Sequence, residues 1–156
     1  MTGKHQHEKC INDALEQGES ICRESGQRFT EIRRKVLQLV WESHKPAKAY
    51  DILDKLAEEE TGAAKPPTVY RALEFLQDNG LVHRLNSLNA FVGCSHPGQH
   101  QQCYFLICRQ CGDVSECCGS GLTLAIEKSA GEVGFQVESS CVEIRGLCKD
   151  CVSKPT

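Results

Sequence analysis

A chain of 156 residues with a formal net charge of −3 is long enough to bury a core, as one domain or as two small ones. Its start, Met-Thr-Gly-Lys-His-Gln-His-Glu-Lys, is polar and unlike a signal peptide, and no apolar run approaches the length of a membrane span. Eleven cysteines, an odd number, without an export signal argue for a reducing, cytoplasmic setting in which thiols bind metals rather than pair as disulfides.

The first 80 residues read as helices. Residues 11–25 carry Ile11, Ala14, Leu15, Gly18, Ile21 and Cys22 as an amphipathic stripe. Ahead of it, the polar terminus with His5 and His7 near Cys10 is expected to be disordered. Thr30 suits the N-cap of a second helix, whose apolar positions Ile32, Val36, Leu39 and Val40 keep a 3.6-residue period. Between residues 28 and 50, Arg28, Arg33, Arg34, Lys35, Lys45 and Lys48 outnumber Glu31 and Glu42, so this stretch is basic although the chain is acidic. An ordinary solvated helix face explains those charges equally well unless a DNA-reading element follows. Pro46 interrupts the chain, and a third helix presents Ala49, Ile52, Leu53 and Leu56 on one face before the solvated acidic run Glu58-Glu59-Glu60.

Pro66-Pro67-Thr68 starts a fourth helix, with Val69, Ala72, Leu73 and Leu76 as its buried stripe and Asn79-Gly80 as a left-handed cap. Its other face offers Thr68, Tyr70, Arg71 and Glu74. A short strand at 81–85, the turn Asn86-Ser-Leu-Asn89 and a strand at 90–93 complete a winged helix-turn-helix. A helix so placed can enter the major groove with its N-terminal residues towards base edges and phosphates.

Two Cys-x-x-Cys pairs follow, Cys108-Arg-Gln-Cys111 and Cys148-Lys-Asp-Cys151, with about 36 residues between them. Each pair can present two thiolates to one metal, and together they complete a tetrahedral four-cysteine zinc site. Such a closed site has no open coordination position and stabilises a fold rather than catalysing. A redox dithiol needs one pair in a βαβ context, which is not visible. The segments after the first pair and before the second alternate like strands, and antiparallel pairing between them would bring the pairs together.

Lys65-Pro-Pro-Thr-Val-Tyr-Arg-Ala-Leu-Glu-Phe-Leu76, followed by Gly80-Leu-Val-His-Arg84, resembles the recognition helix and wing of the ferric uptake regulator family. His83, Ser87-Leu-Asn-Ala-Phe91, Cys94 and the two Cys-x-x-Cys pairs are similar to its zinc uptake regulator branch, over residues 10 to 152. The resemblance implies an α+β chain: a winged-helix DNA-binding domain at 1–85, its hairpin wing extending to about 93, then a small α/β metal-binding dimerisation domain at 94–156. That second half would comprise strands at 104–107 and around Val114, a helix near 121–133, and strands at 135–139 and 141–146. The implied function is that of a cytoplasmic, homodimeric repressor, not an enzyme, which binds double-stranded operator DNA when zinc occupies a sensing site and so controls zinc uptake genes.

The resemblance also implies which residues carry that function. Cys108, Cys111, Cys148 and Cys151 match the structural zinc site, and His83, Cys94, His100 and Glu116 match the regulatory one, giving two zinc ions per chain. Each regulatory residue has a plainer reading: His83 as a half-buried wing residue, Cys94 as a small core hydrophobe, Glu116 as strand surface. His96 and Cys103 compete with His100 as third ligand, and Cys10, Cys22, Cys117, Cys118 and Cys141 have no assigned role. For DNA, Arg71 and Tyr50 are candidates for base or sugar edges, and Thr68 and Tyr70 for phosphates or thymine methyls. Arg28, Arg33, Arg34 and Lys48 would track the backbone. An iron- or peroxide-sensing sibling is the nearer competing reading, disfavoured by the Cys94 thiolate. A zinc enzyme is the farther one, and the zinc-deaminase signature is absent.

Overall fold

The structure, a computed structural model, describes residues 3–42, 45–59, 65–97, 103–138 and 140–154. The chain divides into two compact units, Met1–Gly98 and Gln99–Thr156, which are described separately.

The first unit holds four helices and a hairpin: α1 (Gly3–Glu24), α2 (Glu31–Trp41), α3 (Ala49–Glu59), α4 (Pro66–Asp78), β1 (Val82–Leu85) and β2 (Ala90–Gly93). Contrary to the expected disordered terminus, α1 runs back to Gly3, and His7 reaches the Glu42 carbonyl beyond the end of α2. α1 lies close over α2 because Gly18 has no side chain: a Cβ there would stand 3.0 Å from the Phe29 ring and 3.3 Å from Leu37. Thr30 caps α2 as expected, its hydroxyl accepting the Arg33 N–H.

α4 begins on Pro66 and Pro67, whose missing N–H groups cost nothing in a first helical turn. It ends in a Schellman cap: Leu81 N–H donates to the Leu76 carbonyl, Gly80 N–H donates to Gln77, and Gly80 takes the left-handed φ of +70°. That cap turns the chain directly into β1. The hairpin pairs Val82 with Gly93 and Leu85 with Ala90, and Ala47 adds a bridge to Phe91. Val36, Leu37, Leu39, Val40, Ile52, Leu56, Val69, Leu73, Leu76, Leu81 and Val82 form one buried apolar core between α2, α3, α4 and the hairpin.

The second unit is a three-stranded sheet ordered β4-β3-β5, with β3 at Cys103–Cys108, β4 at Val114–Cys118 and β5 at Val142–Gly146. α5 (Ser120–Glu132) crosses over between β4 and β5, and the short α6 (Lys149–Val152) follows. Three expectations change here. β5 pairs with β3, in parallel, and not with β4 in the antiparallel sense. Described residues 135–138 form no strand, because no strand of this unit pairs with them and a strand persists only through its ladder. Cys103 and Cys118, expected as thiols, are joined in a disulfide, because the β3–β4 register sets them face to face. Among the described residues, only Phe105, Ile107, Cys108 and Cys151 of this unit are buried hydrophobics. No residue of α5 is buried.

Candidate metal centre

Parallel pairing of β3 and β5 is what assembles the four cysteines. Both strands run in the same direction and end level, Cys108 opposite Gly146, so the chain leaves them at the same edge of the sheet. After β3 the chain turns tightly through Gly112, at φ +77°, with Gly112 N–H donating to the Cys108 carbonyl; this turn carries Cys111. After β5, Cys148 caps α6, whose single turn carries Cys151. The Arg109 N–H donates to the Gly146 carbonyl at 2.9 Å and stitches the two exits together.

The sulfurs of Cys108, Cys111, Cys148 and Cys151 all lie within 4.8 Å of one another, with Cys108 and Cys151 buried and Cys111 exposed. A tetrahedral zinc with bonds of about 2.3 Å requires sulfur–sulfur edges of about 3.8 Å. The Cys111 and Cys148 sulfurs stand 3.8 Å apart, so the donor set fits that ion in chemistry and in span. The thiols are not equivalent. N–H groups of Cys111 and then Cys148 pull the Cys108 thiol down to about 6, while hydrogen bonding with Cys148, followed by burial, pushes Cys151 up to about 12. Four thiolates this close repel one another unless a cation lies among them, and binding such a cation must expel protons.

Of the regulatory set, His83 and Cys94 meet in the first unit. His83 lies on β1, and the Cys94 N–H extends the hairpin by donating to the Leu81 carbonyl at 2.9 Å. A ring nitrogen of His83 and the Cys94 sulfur come within 4.8 Å. Gly93, beside Cys94, lies against Trp41, since a Cβ there would stand 2.2 Å from the indole. Nothing in the spacing of residues announces that contact. Glu116 sits on β4 of the second unit, half-buried and opposite Phe105. His100 lies outside the described residues. His96 is exposed on the turn after the wing, and Cys103 is taken up by its bond to Cys118.

The residues considered for DNA contact divide by exposure. Thr68, Tyr70 and Arg71 are exposed on the first turns of α4, Tyr70 at 54%, so Tyr70 does not pack inward. Tyr50 is 57% exposed at the start of α3, with the Lys48 ammonium 5.7 Å from its ring centroid. Arg28 is exposed. Arg33 and Arg34 are already engaged: the Arg33 guanidinium stacks 3.5 Å over the Phe75 ring, and Arg34 pairs with Glu19 at 3.1 Å. Among the cysteines without an assigned role, Cys22 is buried in the first unit, where burial pushes its thiol up.

A winged helix-turn-helix followed by a small sheet unit with a four-thiol cluster is the architecture of metal-dependent transcription regulators. The family model described as "Ferric uptake regulator family" matches residues 24–145. The chain belongs to that family, in its zinc uptake regulator branch. It is 41% identical over 142 residues to the zinc uptake regulation protein of Escherichia coli (strain K12), covering 90% of this chain and 82% of that protein. A solved structure of a zinc uptake regulator complexed with zinc and DNA matches with a TM-score of 0.85 at 39% identity, covering 91% of this chain and 95% of that one. The peroxide operon regulator of Bacillus subtilis (strain 168) is more distant, at 30% identity over 149 residues, covering 92% of this chain and 94% of that protein. No helix among the described residues is long and apolar enough to cross a membrane.

Proposed function

We propose that this protein is a zinc-responsive transcriptional repressor that works in the cytoplasm as a homodimer and is not an enzyme. In this reading it binds the operators of zinc uptake genes when His83, Cys94, His100 and Glu116 hold a second, exchangeable zinc. The observation that carries the reading is one chain joining a winged helix-turn-helix to a zinc-sized cluster of four cysteines. Likeness to a zinc uptake regulation protein along 90% of the chain supports it.

Bound zinc supplies a four-coordinate cross-link and no redox chemistry. Cys108, Cys111, Cys148 and Cys151 use it to hold the exits of β3 and β5 together, a closed structural role. The mixed set of one thiolate, two imidazoles and a carboxylate holds its ion less tightly, which suits a sensor. His83 and Cys94 belong to the wing, His100 to the connection and Glu116 to β4, so shared coordination restrains the wing relative to the dimerising unit. In a dimer that restraint favours a spacing of the two α4 helices near one DNA turn, about 34–36 Å. The DNA-competent form therefore takes zinc more tightly, and DNA raises zinc affinity by the same factor, a coupling of about 1–3 kcal/mol. Exposed Leu122, Leu124, Val133, Phe135, Leu106 and Ile144 on the second unit support the dimer, since a lone chain would leave them in water.

Arg71 and Tyr50 read base or sugar edges in this account, Thr68 and Tyr70 meet phosphates or thymine methyls, and Arg28 and Lys48 track the backbone. Arg33, stacked on Phe75, and Arg34, paired with Glu19, keep further guanidinium N–H donors with which to join the backbone contacts. The test is a DNA-binding titration with zinc buffered at set free concentrations. Arg71→Ala should weaken operator binding by about 1–3 kcal/mol and leave random DNA nearly unaffected. Equal loss on both would remove the base-reading role, and operator binding restored by ferrous iron but not by zinc would point to an iron sensor.

A further inference from the structure

The sheet of the second unit sets Cys103 directly opposite Cys118 on neighbouring antiparallel strands, with their Cα atoms 4.3 Å apart and their sulfurs bonded. That is about the separation at which opposed side chains stand closest in an antiparallel ladder, so the register itself brings the two sulfurs together. Neither belongs to the four-cysteine cluster. Cys117 pairs with Tyr104 and alternates onto the other face of β4, so it cannot compete for Cys103. Disulfides in a reducing compartment are usually transient. On the same face of β4, two residues back, Glu116 brings its Oε1 to 3.6 Å from the Cys118 sulfur.

We infer that Cys103 and Cys118 form a reversible oxidation site, closed by hydroperoxides and reopened by low-molecular-weight thiols, and that closing it weakens zinc binding at the adjoining carboxylate. The second half of the inference rests on the proposed role of Glu116 as a zinc ligand. In the first step one thiolate attacks the O–O bond of hydrogen peroxide, becoming a sulfenic acid and releasing hydroxide, which is protonated to water. The other thiol attacks that sulfur, losing its proton and expelling the second oxygen as water. The two cysteines together give up two electrons and two protons, and the peroxide becomes two waters. In the reverse step two thiols of the reductant become its disulfide, and Cys103 and Cys118 recover their protons and electrons.

Opening the bond would turn the Cys118 sulfur, which stands 3.6 Å from the Glu116 carboxylate, into a thiol or thiolate, the soft kind of donor zinc favours. In the disulfide that sulfur has neither a proton to donate nor a charge to offer. Oxidation thus withdraws a donor from the carboxylate's side without consuming any thiol of the structural cluster.

The test uses the full chain, reduced, desalted and exposed to a few equivalents of hydrogen peroxide. Alkylation and peptide mass spectrometry map the bonds, and a chromophoric chelator measures exchangeable zinc before and after. The peptides bearing Cys103 and Cys118 should be cross-linked after peroxide and separate after dithiothreitol. Oxidation should lower exchangeable-zinc affinity about fivefold or more in the unmodified sequence and leave Cys103→Ser unchanged. Full alkylation of both thiols after peroxide, or preferential bonding of either to another cysteine, would overturn the oxidation site. A cross-link with unchanged zinc affinity would overturn its coupling to zinc. Glu116→Ala separates the two ideas: unaltered zinc affinity in the reduced variant would remove the ligand role and the coupling with it, while the cross-link, which needs neither Glu116 nor zinc, still decides the oxidation site.

Discussion

The two units of this chain hold themselves together by different means. In the first, three helices and a hairpin converge on a continuous apolar core, with Leu37, Leu56, Val69 and Leu76 wholly buried. Among the described residues of the second, four hydrophobic positions are buried, two of them cysteines of the cluster, and α5 buries none. A unit of under 60 residues with so thin a core depends on cross-links or partners. Under the proposed function the contrast suits a regulator: the winged-helix unit that would read DNA is held by packing, and the unit with the four-cysteine cluster would take its stability from coordination.

The strongest way to break that contrast is to remove the cluster. Cys108→Ser together with Cys151→Ser should unfold the second unit, because structural zinc in small domains contributes about 10–16 kcal/mol at neutral pH. Hydrogen exchange should then show protection lost across β3, β4 and β5 and kept in α2 and α4; loss in both units at once would refute independent stabilisation. A smaller effect, of opposite location, is expected from Leu76→Ala, which should cost the first unit about 2–5 kcal/mol whatever the metal content. Denaturant melts with and without chelator would check that independence. The smallest is Gly93→Ala. Its methyl group would collide with Trp41, costing about 1–3 kcal/mol, and should shift the emission of this single tryptophan. An unshifted spectrum and midpoint would mean that the wing does not bear on α2 there.

The same contrast governs how much could be read in the sequence. Thr30, Pro66, Gly80 and the apolar periods of α2, α3 and α4 are local signals, and each fixes an end or a face of its own helix. The wing was legible for the same reason, as a turn between two short alternating strands. The four cysteines were legible as a set because metal-ligand spacing is itself a pattern. The pairing that joins them was not: alternation marks Val142–Gly146 as a strand but does not say that its neighbour is β3 or that the two run parallel. The opposition of Cys103 to Cys118 follows from the β3–β4 register, and the engagement of Arg33 by Phe75 and Arg34 by Glu19 from helix packing. These are long-range facts, and one sequence carries no local mark of them.

The central claim is a permanent zinc on four cysteines together with an exchangeable one that makes the switch. It is tested most directly by counting zinc per chain on reduced protein, by elemental mass spectrometry, before and after dialysis against a moderate chelator. The expected result is a fall from about two zinc ions per chain to about one, with the dimer and the protection of β3 and β5 intact. Zinc held at about one per chain throughout, with nothing exchangeable at His83 and Cys94, would contradict it.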